Sequence, residues 1–201
     1  MPPDQSSLPS VAICIPSGAT VHADFSLCLA TMVHGLGQIP LGFMSAKSAI
    51  VADARNMGVD FARQIGATFL LFIDSDIIFP RDALQRLLVR NLDVVGASYS
   101  RRTPPLHALG EISPQQPAHA QSGLVLMTRM PAGFLLVRTS VFDDLTRPIF
   151  RFRADEQSGT NVSEDYDFCD RLRLAGRKIW CDRQLTSELG HIGQQIFTTQ
   201  F

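Results

Sequence analysis

The amino-acid sequence predicts an α/β fold, in which a mostly parallel central sheet is flanked by helices in a single domain. Short apolar runs alternate along the chain with segments of helical hydrophobic spacing, which is the pattern of strands and helices in such folds. The run 68–73, TFLLFI, ends in an unbroken apolar stretch, as in strands that are covered on both faces. The length of 201 residues suits one domain.

The predicted elements of the first half follow one another in a regular order. Residues 1–10 form a polar, proline-rich tail that we expect to be disordered, and residues 11–201 form the domain. The first strand ends at Pro16 and the longest helix ends before Gly66, a residue type that favours a helix C-terminus. The sequence predicts strands over 11–16, 39–44, 68–73 and 94–98, and helices over 25–34, 47–65 and 81–90.

The second half begins with a long segment that breaks every regular period. Residues 101–123 contain several Pro, Gly and Gln residues, and a loop of this length inside a compact domain is usually functional or disordered. We expect it to be an active-site lid. After it, the sequence predicts strands over 124–130, 134–137 and 178–181, helices over 140–145 and 163–175, and a polar connection over 153–161.

Composition and charge exclude several classes of protein. The formal net charge of −1 gives no strong overall attraction to nucleic acid or to an anionic membrane. The most apolar stretch, 67–80, is interrupted by Asp74 and Asp76 and is too short to span a bilayer, and the polar N-terminus lacks the features of a signal peptide. Because Cys14 and Cys169 lie in apolar patterns and no C-x-x-C pair occurs, we expect buried, reduced thiols and a cytoplasmic protein.

Asp74-Ser75-Asp76 is the strongest candidate for a functional site. The tripeptide directly follows the buried strand, and ligand sites in open α/β sheets lie beyond the carboxyl ends of the strands. Residues two apart in an extended chain face the same way, so both carboxylates can converge on a divalent cation that offsets their mutual repulsion. The alternative is a solvated turn in which an aspartate caps the following helix.

Two pairs of charged or polar residues lie on predicted helices. Glu164-Asp165 follows Ser163 at the start of one helix, where acidic side chains also stabilise the helix dipole, so a structural role is the alternative. Arg55-Asn56 lies in the middle of another helix. An arginine there can reach a phosphate or a carboxylate, and the alternative is an ordinary surface arginine.

Two further candidates are defined by neighbouring glycine or proline residues. His191 lies between Gly190 and Gly193, which suggests a backbone bent close to another group, although a single histidine is more often a packed or surface residue. The turn Pro16-Ser17-Gly18 ends the first strand. Many α/β proteins bind a nucleotide at this place, and many have only a turn there.

Taken together and in order, these segments resemble the nucleotide-diphospho-sugar transferases of the GT-A fold, a Rossmann-like fold, and especially the family-two-like group. The matching segments, which span residues 11–193, are VAICIPSG, AIVADARNMGVDFA, FLLFIDSDIIFPRDAL, VVGASYSRR, AGFLLVRTSVFDDL, SEDYDFCDRLRLAGRKIWCD and LGHIG. The resemblance implies a hexosyltransferase-like enzyme. Such an enzyme moves a sugar from a UDP- or GDP-sugar to a hydroxyl of a glycan, lipid or small-molecule acceptor.

The resemblance also implies roles for the candidate residues. Asp76 would bind Mn²⁺ or Mg²⁺ together with His191, and Asp74 would contact the ribose or assist the metal. In an inverting enzyme, Asp165 would be the general base, beside Glu164 in the acceptor pocket. The remaining matched positions would surround the nucleotide sugar and the acceptor pocket: Pro16, Ser17, Gly18, Arg55, Ser75 and Gly133.

Two other functions fit parts of the same pattern. Phosphatases of the haloacid-dehalogenase type also place D-x-D after an apolar strand and use an aspartate as nucleophile, but here Ile77 and Ile78 follow where that family has Thr or Val and then Gly. A non-catalytic relative that binds nucleotide sugars is the second alternative. Retention of Asp74, Asp76, Asp165 and His191 together argues against it.

Overall fold

The structure is a computed structural model that describes residues 8–102, 106–118, 121–155 and 159–193. Its helices are α1 (Ala23–Gly35), α2 (Val51–Gln64), α3 (Ala83–Arg90), α4 (Glu164–Leu174) and α5 (Arg183–Glu188), with a 3₁₀ helix over Thr139–Asp144. Its strands are β1 (Val11–Ser17), β2 (Leu41–Lys47), β3 (Phe69–Ile73), β4 (Ile77–Ile78), β5 (Val94–Gly96), β6 (Glu111–Ile112), β7 (Leu124–Arg129), β8 (Phe134–Arg138), β9 (Arg153–Asp155), β10 (Thr160–Val162), β11 (Ile179–Asp182) and β12 (Gly190–His191).

Eight of these strands form one sheet, in the order β2-β1-β3-β8-β5-β11-β7-β6. β1 is parallel to β2 and β3, and β5 is parallel to β11, whereas β8 and β7 are antiparallel to both of their neighbours. The α/β fold class is therefore confirmed, but the sheet is mixed and not mostly parallel as expected. An apolar run indicates that a strand is buried without indicating its direction, so the reversal of β8 has no sequence signal.

The sheet is covered on both faces, as the apolar runs predict. Alternate residues of β1 and β3 point to opposite sides, so each strand contributes to two hydrophobic cores. Side chains of α2 and α4 pack on one core, and those of α1 and α3 pack on the other. All five residues of β3 are buried, which fixes the position of the chain where it leaves the sheet at Asp74.

The elements that the sequence did not predict are short. β9 and β10 form an antiparallel hairpin in the expected polar connection, and α5 and β12 follow β11. The segment 101–123 lies partly outside the described residues, and its described part contains β6 and an isolated bridge between Ser100 and Ala108. Most of the predicted tail, residues 1–7, also lies outside them, while Ser10 hydrogen-bonds to Thr68.

No helix in the described part of the chain combines the length and the hydrophobicity that are needed to cross a bilayer.

Candidate functional site

The carboxyl ends of β1, β3 and β5 meet at one edge of the sheet. β5 runs in the same direction as β3, because both are antiparallel to β8 between them. A cavity of about 420 Å³ opens at this edge, and we call it the strand-end cavity. The predicted residues that line it are Pro16, Ser17, Gly18, Asp74, Ser75, Asp76 and His191. The structure thus has a cavity at the place where ligands usually bind in an α/β sheet.

Asp74-Ser75-Asp76 forms a tight turn between β3 and β4. The backbone N–H of Ile77 donates to the carbonyl of Asp74 at 3.2 Å, so the tripeptide is not extended as we had expected. The helix that follows begins at Ala83 with Asp82 at its N-cap position, which removes the alternative that Asp74 or Asp76 is a helix cap. As a result of the turn, the two carboxylates face different partners.

Asp74 lines the strand-end cavity and bonds to two buried side chains, Arg55 and Tyr99. Its carboxylate accepts from Arg55 Nη2 at 3.1 Å and from the Tyr99 hydroxyl at 3.3 Å. Burial, and after it the charge of Asp74, raises the pKa of Tyr99 well above its ordinary value, so the hydroxyl keeps its proton and donates. A Cβ atom at Gly133 would lie 2.5 Å from Asp74 Oδ2 and 2.4 Å from the Tyr99 hydroxyl. Only glycine leaves room for this network.

Arg55 joins Asp74 to Glu164 on α4. The arginine is 3% exposed and Glu164 is 5% exposed, and Arg55 Nη1 donates to Glu164 Oε1. Burial by itself would lower the pKa of Arg55, but the carboxylates of Asp74 and Glu164 raise it. Burial also raises the pKa of Glu164, although Arg55 acts in the opposite direction. Glu164 is therefore more than an exposed acidic residue in the first turn of a helix, and Arg55 is not a surface arginine.

Asp165 lies beside a second cavity of about 390 Å³, the α4 cavity, which Arg55, Glu164 and Tyr166 also line. Asp165 Oδ1 accepts hydrogen bonds from the Ser163 hydroxyl and from the backbone N–H of Tyr166, the latter at 2.8 Å. These bonds fix one oxygen of the carboxylate and leave Oδ2 for another donor. The two cavities share four lining residues, Val51, Asp74, Tyr99 and Leu109, so they adjoin each other at Asp74.

Asp76 meets His191 and Arg102 on the other side of the turn. β4 pairs with β12, which places His191 opposite Ile77, and the backbone N–H of Ile192 donates to the carbonyl of Asp76 at 2.8 Å. His191 Nε2 lies 3.7 Å from Asp76 Oδ2. Arg102 Nη2 donates to this same carboxylate oxygen, and Arg102 Nε donates to His191 Nε2 at 3.0 Å.

The chemistry of this pair fits a divalent cation. His191 Nδ1 lies 2.8 Å from the carbonyl oxygen of Ser100, and because a carbonyl oxygen only accepts, Nδ1 carries the proton and Nε2 presents a lone pair. Two ligand atoms that each lie about 2.1 Å from one metal ion are at most about 4.2 Å apart. The distance of 3.7 Å between His191 Nε2 and Asp76 Oδ2 is within this limit. Within the described ranges, no three His, Cys, Asp or Glu side chains converge as metal ligands.

The structure therefore brings the predicted residues together as two groups. Asp76 and His191 form one group, and Asp74, Arg55, Glu164 and Asp165 form the other. Asp74, for which we predicted contact with the ribose or assistance to the metal, bonds to Arg55 and Tyr99 in the structure.

Sequence reasoning assigned no role to Tyr99 or Arg102. Both residues lie in the quoted segment VVGASYSRR, directly after the strand β5. The place of this segment after a strand could have indicated that Tyr99 and Arg102 lie at the site, since ligand sites in such sheets lie beyond the carboxyl ends of the strands.

No known protein family matches the sequence, and no curated protein matches it at the sequence level. Similar folds occur among solved structures. Protein A197 from STIV superposes with a TM-score of 0.61 at 15% identity, over 96% of this chain and 98% of that one. GalNAc-T7, solved with UDP, GalNAc and Mn²⁺, superposes with a TM-score of 0.59 at 10% identity, over 95% of this chain and 45% of that one. At these identities the similarity shows the fold alone, an α/β fold like that of the GT-A neighbour GalNAc-T7.

Proposed function

We propose that the protein is a metal-dependent glycosyltransferase that moves a sugar from a UDP- or GDP-sugar to an acceptor hydroxyl. The observation that supports this most directly is the pair of adjoining cavities at the strand ends. One is lined by the β1 turn and by the tripeptide Asp74-Ser75-Asp76, and the other by Glu164 and Asp165. A transferase needs this arrangement, since a donor and an acceptor must be held side by side.

The strand-end cavity suits the nucleotide part of the donor. The turn Pro16-Ser17-Gly18 lies at one wall, where the base and ribose would bind, and Ser17 is positioned by a hydrogen bond between its hydroxyl and that of Ser45 at 2.9 Å. Asp74 Oδ1 lies 3.1 Å from Arg55 Nη2, and its carboxylate would accept from a ribose hydroxyl. GalNAc-T7 has been solved with UDP and Mn²⁺, and the shared fold is consistent with a similar ligand here.

Asp76 and His191 would hold the cation, and the two phosphates of the donor would supply further oxygen ligands. The cation would neutralise the diphosphate as it leaves. Asp76 is fixed for this task by its backbone bond to Ile192, and His191 by its bond to Ser100. The first bond positions the backbone of Asp76, and the second orients the ring of His191, before any ligand binds.

Asp165 would be the general base for the acceptor. Its Oδ1 atom is held by Ser163 and Tyr166, so Oδ2 would accept the proton of the acceptor hydroxyl while the hydroxyl oxygen forms its bond to the sugar carbon. The bond from that carbon to the diphosphate breaks in the same step. Glu164 contributes indirectly, because it holds Arg55 and through it Asp74.

The phosphatase alternative requires Asp74 or Asp76 as a free nucleophile. Asp74 Oδ1 lies 3.1 Å and Oδ2 3.4 Å from Arg55, and Oδ2 also accepts from Tyr99. Asp76 Oδ2 is bonded to Arg102. A carboxylate with both oxygens engaged, as in Asp74, is a poor nucleophile, which favours the transferase.

Nucleotide binding in the presence of Mn²⁺ tests the proposal. UDP or GDP at about 100 times its dissociation constant stabilises a folded protein by about 2.7 kcal/mol, so we expect the Tm to rise by roughly 5 °C or more. The rise should require Mn²⁺ and should disappear in Asp76→Asn.

The control is Asp143→Asn, which removes an exposed carboxylate on the 3₁₀ helix and should leave the rise unchanged. Binding of UDP or GDP to Asp76→Asn as tight as to the wild type, with or without Mn²⁺, would contradict the metal role of Asp76. An absence of any nucleotide effect on the wild type would contradict the proposal as a whole.

A further inference from the structure

Arg102 occupies the space between the two side chains that would bind the cation. One of its nitrogen atoms, Nη2, donates to Asp76 Oδ2, and another, Nε, donates to His191 Nε2 at 3.0 Å. These acceptors are the carboxylate oxygen and the ring lone pair that a metal ion would use. The Arg102 side chain is 49% exposed, so it can leave this position without disturbing the core.

We propose that Arg102 and the divalent cation compete for Asp76 and His191. This inference rests on the proposed function, because it assumes that the pair binds a cation. In the protein without metal, the guanidinium satisfies both acceptors. A bound cation needs the same two atoms, and Arg102 must turn away into solvent when the cation enters.

The competition has a consequence for the order of binding. Displaced Arg102 still lies close to the site, since Ser100, two residues before it, is bonded to His191. Its positive charge would then repel a cation that binds alone. A diphosphate removes this repulsion because its negative charges face both the cation and Arg102. The cation and the nucleotide should therefore bind cooperatively, and each should bind weakly without the other.

Mn²⁺ binding to the nucleotide-free protein measures this competition directly. The free Mn²⁺ concentration is followed by electron paramagnetic resonance in titrations with and without UDP and GDP. Arg102→Ala removes the half-exposed ion pair with Asp76 and the hydrogen bond to His191. We therefore expect the nucleotide-free variant to bind Mn²⁺ about three- to tenfold more tightly than the wild type. The gain in Mn²⁺ affinity on adding the nucleotide should shrink correspondingly in the variant.

Arg101→Ala is the matched control, because Arg101 is an exposed arginine one position away that does not line the strand-end cavity. It removes the same charge and should leave Mn²⁺ affinity within about twofold of the wild type, since exposed charges contribute little. Arg102→Gln is a second variant that keeps most of the side-chain length. Circular dichroism and thermal unfolding establish that each variant is folded.

The outcomes separate this inference from the proposed function. Tighter nucleotide-free Mn²⁺ binding in both Arg102 variants, and not in Arg101→Ala, supports the competition. Equal effects in Arg101→Ala and Arg102→Ala, unchanged binding in Arg102→Ala, or weaker binding in it would each overturn the inference. If Mn²⁺ binding is unchanged in Arg102→Ala but lost in Asp76→Asn, the inference fails while the metal pair stands. If Asp76→Asn binds Mn²⁺ like the wild type, the metal pair itself is refuted.

Discussion

Arg55 links the two cavities at the scale of single residues. It is 3% exposed and pairs with Asp74, which lines both cavities, and with Glu164, which lines the α4 cavity. Within the part of the chain that the structure describes, Arg55 Nε is buried without a hydrogen-bond partner. An arginine with one unsatisfied nitrogen is tolerated here because the same guanidinium forms ion pairs with two neighbouring carboxylates.

Replacement of Arg55 by Met should destabilise the protein by about 3–5 kcal/mol at pH 7, because Glu164 and Asp74 would lose their buried counter-ion. The loss should be smaller at pH 5. Without Arg55 the folded-state pKa of Glu164, which burial already raises, would rise further above the unfolded value. A carboxyl group with a raised folded-state pKa stabilises the fold at low pH and loses that contribution as the pH rises through this pKa.

Denaturant unfolding of Arg55→Met at pH 5 and pH 8 measures this difference. Arg63→Met is the matched control on the same helix, since Arg63 pairs with the exposed Asp143 and its loss should cost at most about 1 kcal/mol. A loss in Arg55→Met that is the same at both pH values, or that equals the loss in Arg63→Met, would contradict the role given to Arg55.

The sequence identified most of the residues at the site, and physical reasons explain the rest. Asp74 and Asp76 follow a strand that is visible as an apolar run, so their place at the sheet edge was predictable. The sequence did not reveal that Asp74 and Asp76 bond to different partners. This difference depends on the turn that follows β3, which points the two side chains in different directions. Tyr99 and Arg102 reach the site only through the pairing of β5 with β8 and β11, and the sequence does not reveal which strands are neighbours.

At the scale of secondary-structure elements, burial separates the four cysteines into two kinds. Burial raises the pKa of Cys14 on β1 and of Cys169 on α4 to about 12, and Cys181 on β11 is buried as well. Cys28 on α1 is half-buried. All four are free thiols, so the prediction that Cys14 and Cys169 are buried thiols is confirmed.

Alkylation with iodoacetamide at pH 8 should therefore modify Cys28 first and leave Cys14 and Cys169 unmodified, because their sulfur atoms are both inaccessible and protonated. Peptide mass spectrometry after timed labelling gives the rate at each position. All four should react in denaturant, which serves as the control. Labelling of Cys14 or Cys169 as fast as Cys28 in the folded protein would show that β1 or α4 is not packed as described.

The elements that were predicted are long or strongly periodic, and the missed ones are short. α2 and β3 have clear hydrophobic patterns, and both occur within a few residues of their predicted positions. β4 and β12 have two residues each, which is too few for any period, yet their pairing places His191 beside Asp76. The smallest elements thus complete the site, and only tertiary pairing determines them.

At the scale of the whole molecule, one sheet edge organises the protein. The ends of β1, β3 and β5 provide the strand-end cavity, and α4 begins at the same edge with Glu164 and Asp165. The sequence predicted the α/β class and the coverage of both faces. It did not predict the mixed directions of the strands, because an apolar run reads the same in a parallel and an antiparallel strand.

Release of UDP or GDP from sugar nucleotides tests the central claim most directly. The wild-type protein is incubated with Mn²⁺, a panel of UDP- and GDP-sugars, and water or supplied hydroxyl compounds as acceptors. We expect release from at least one donor, none from Asp76→Asn, and release about 100-fold slower or more from Asp165→Asn, which should still bind the nucleotide. Full turnover by Asp165→Asn would contradict the assigned base. A wild-type protein that neither binds nor cleaves any sugar nucleotide would contradict the assignment as a glycosyltransferase.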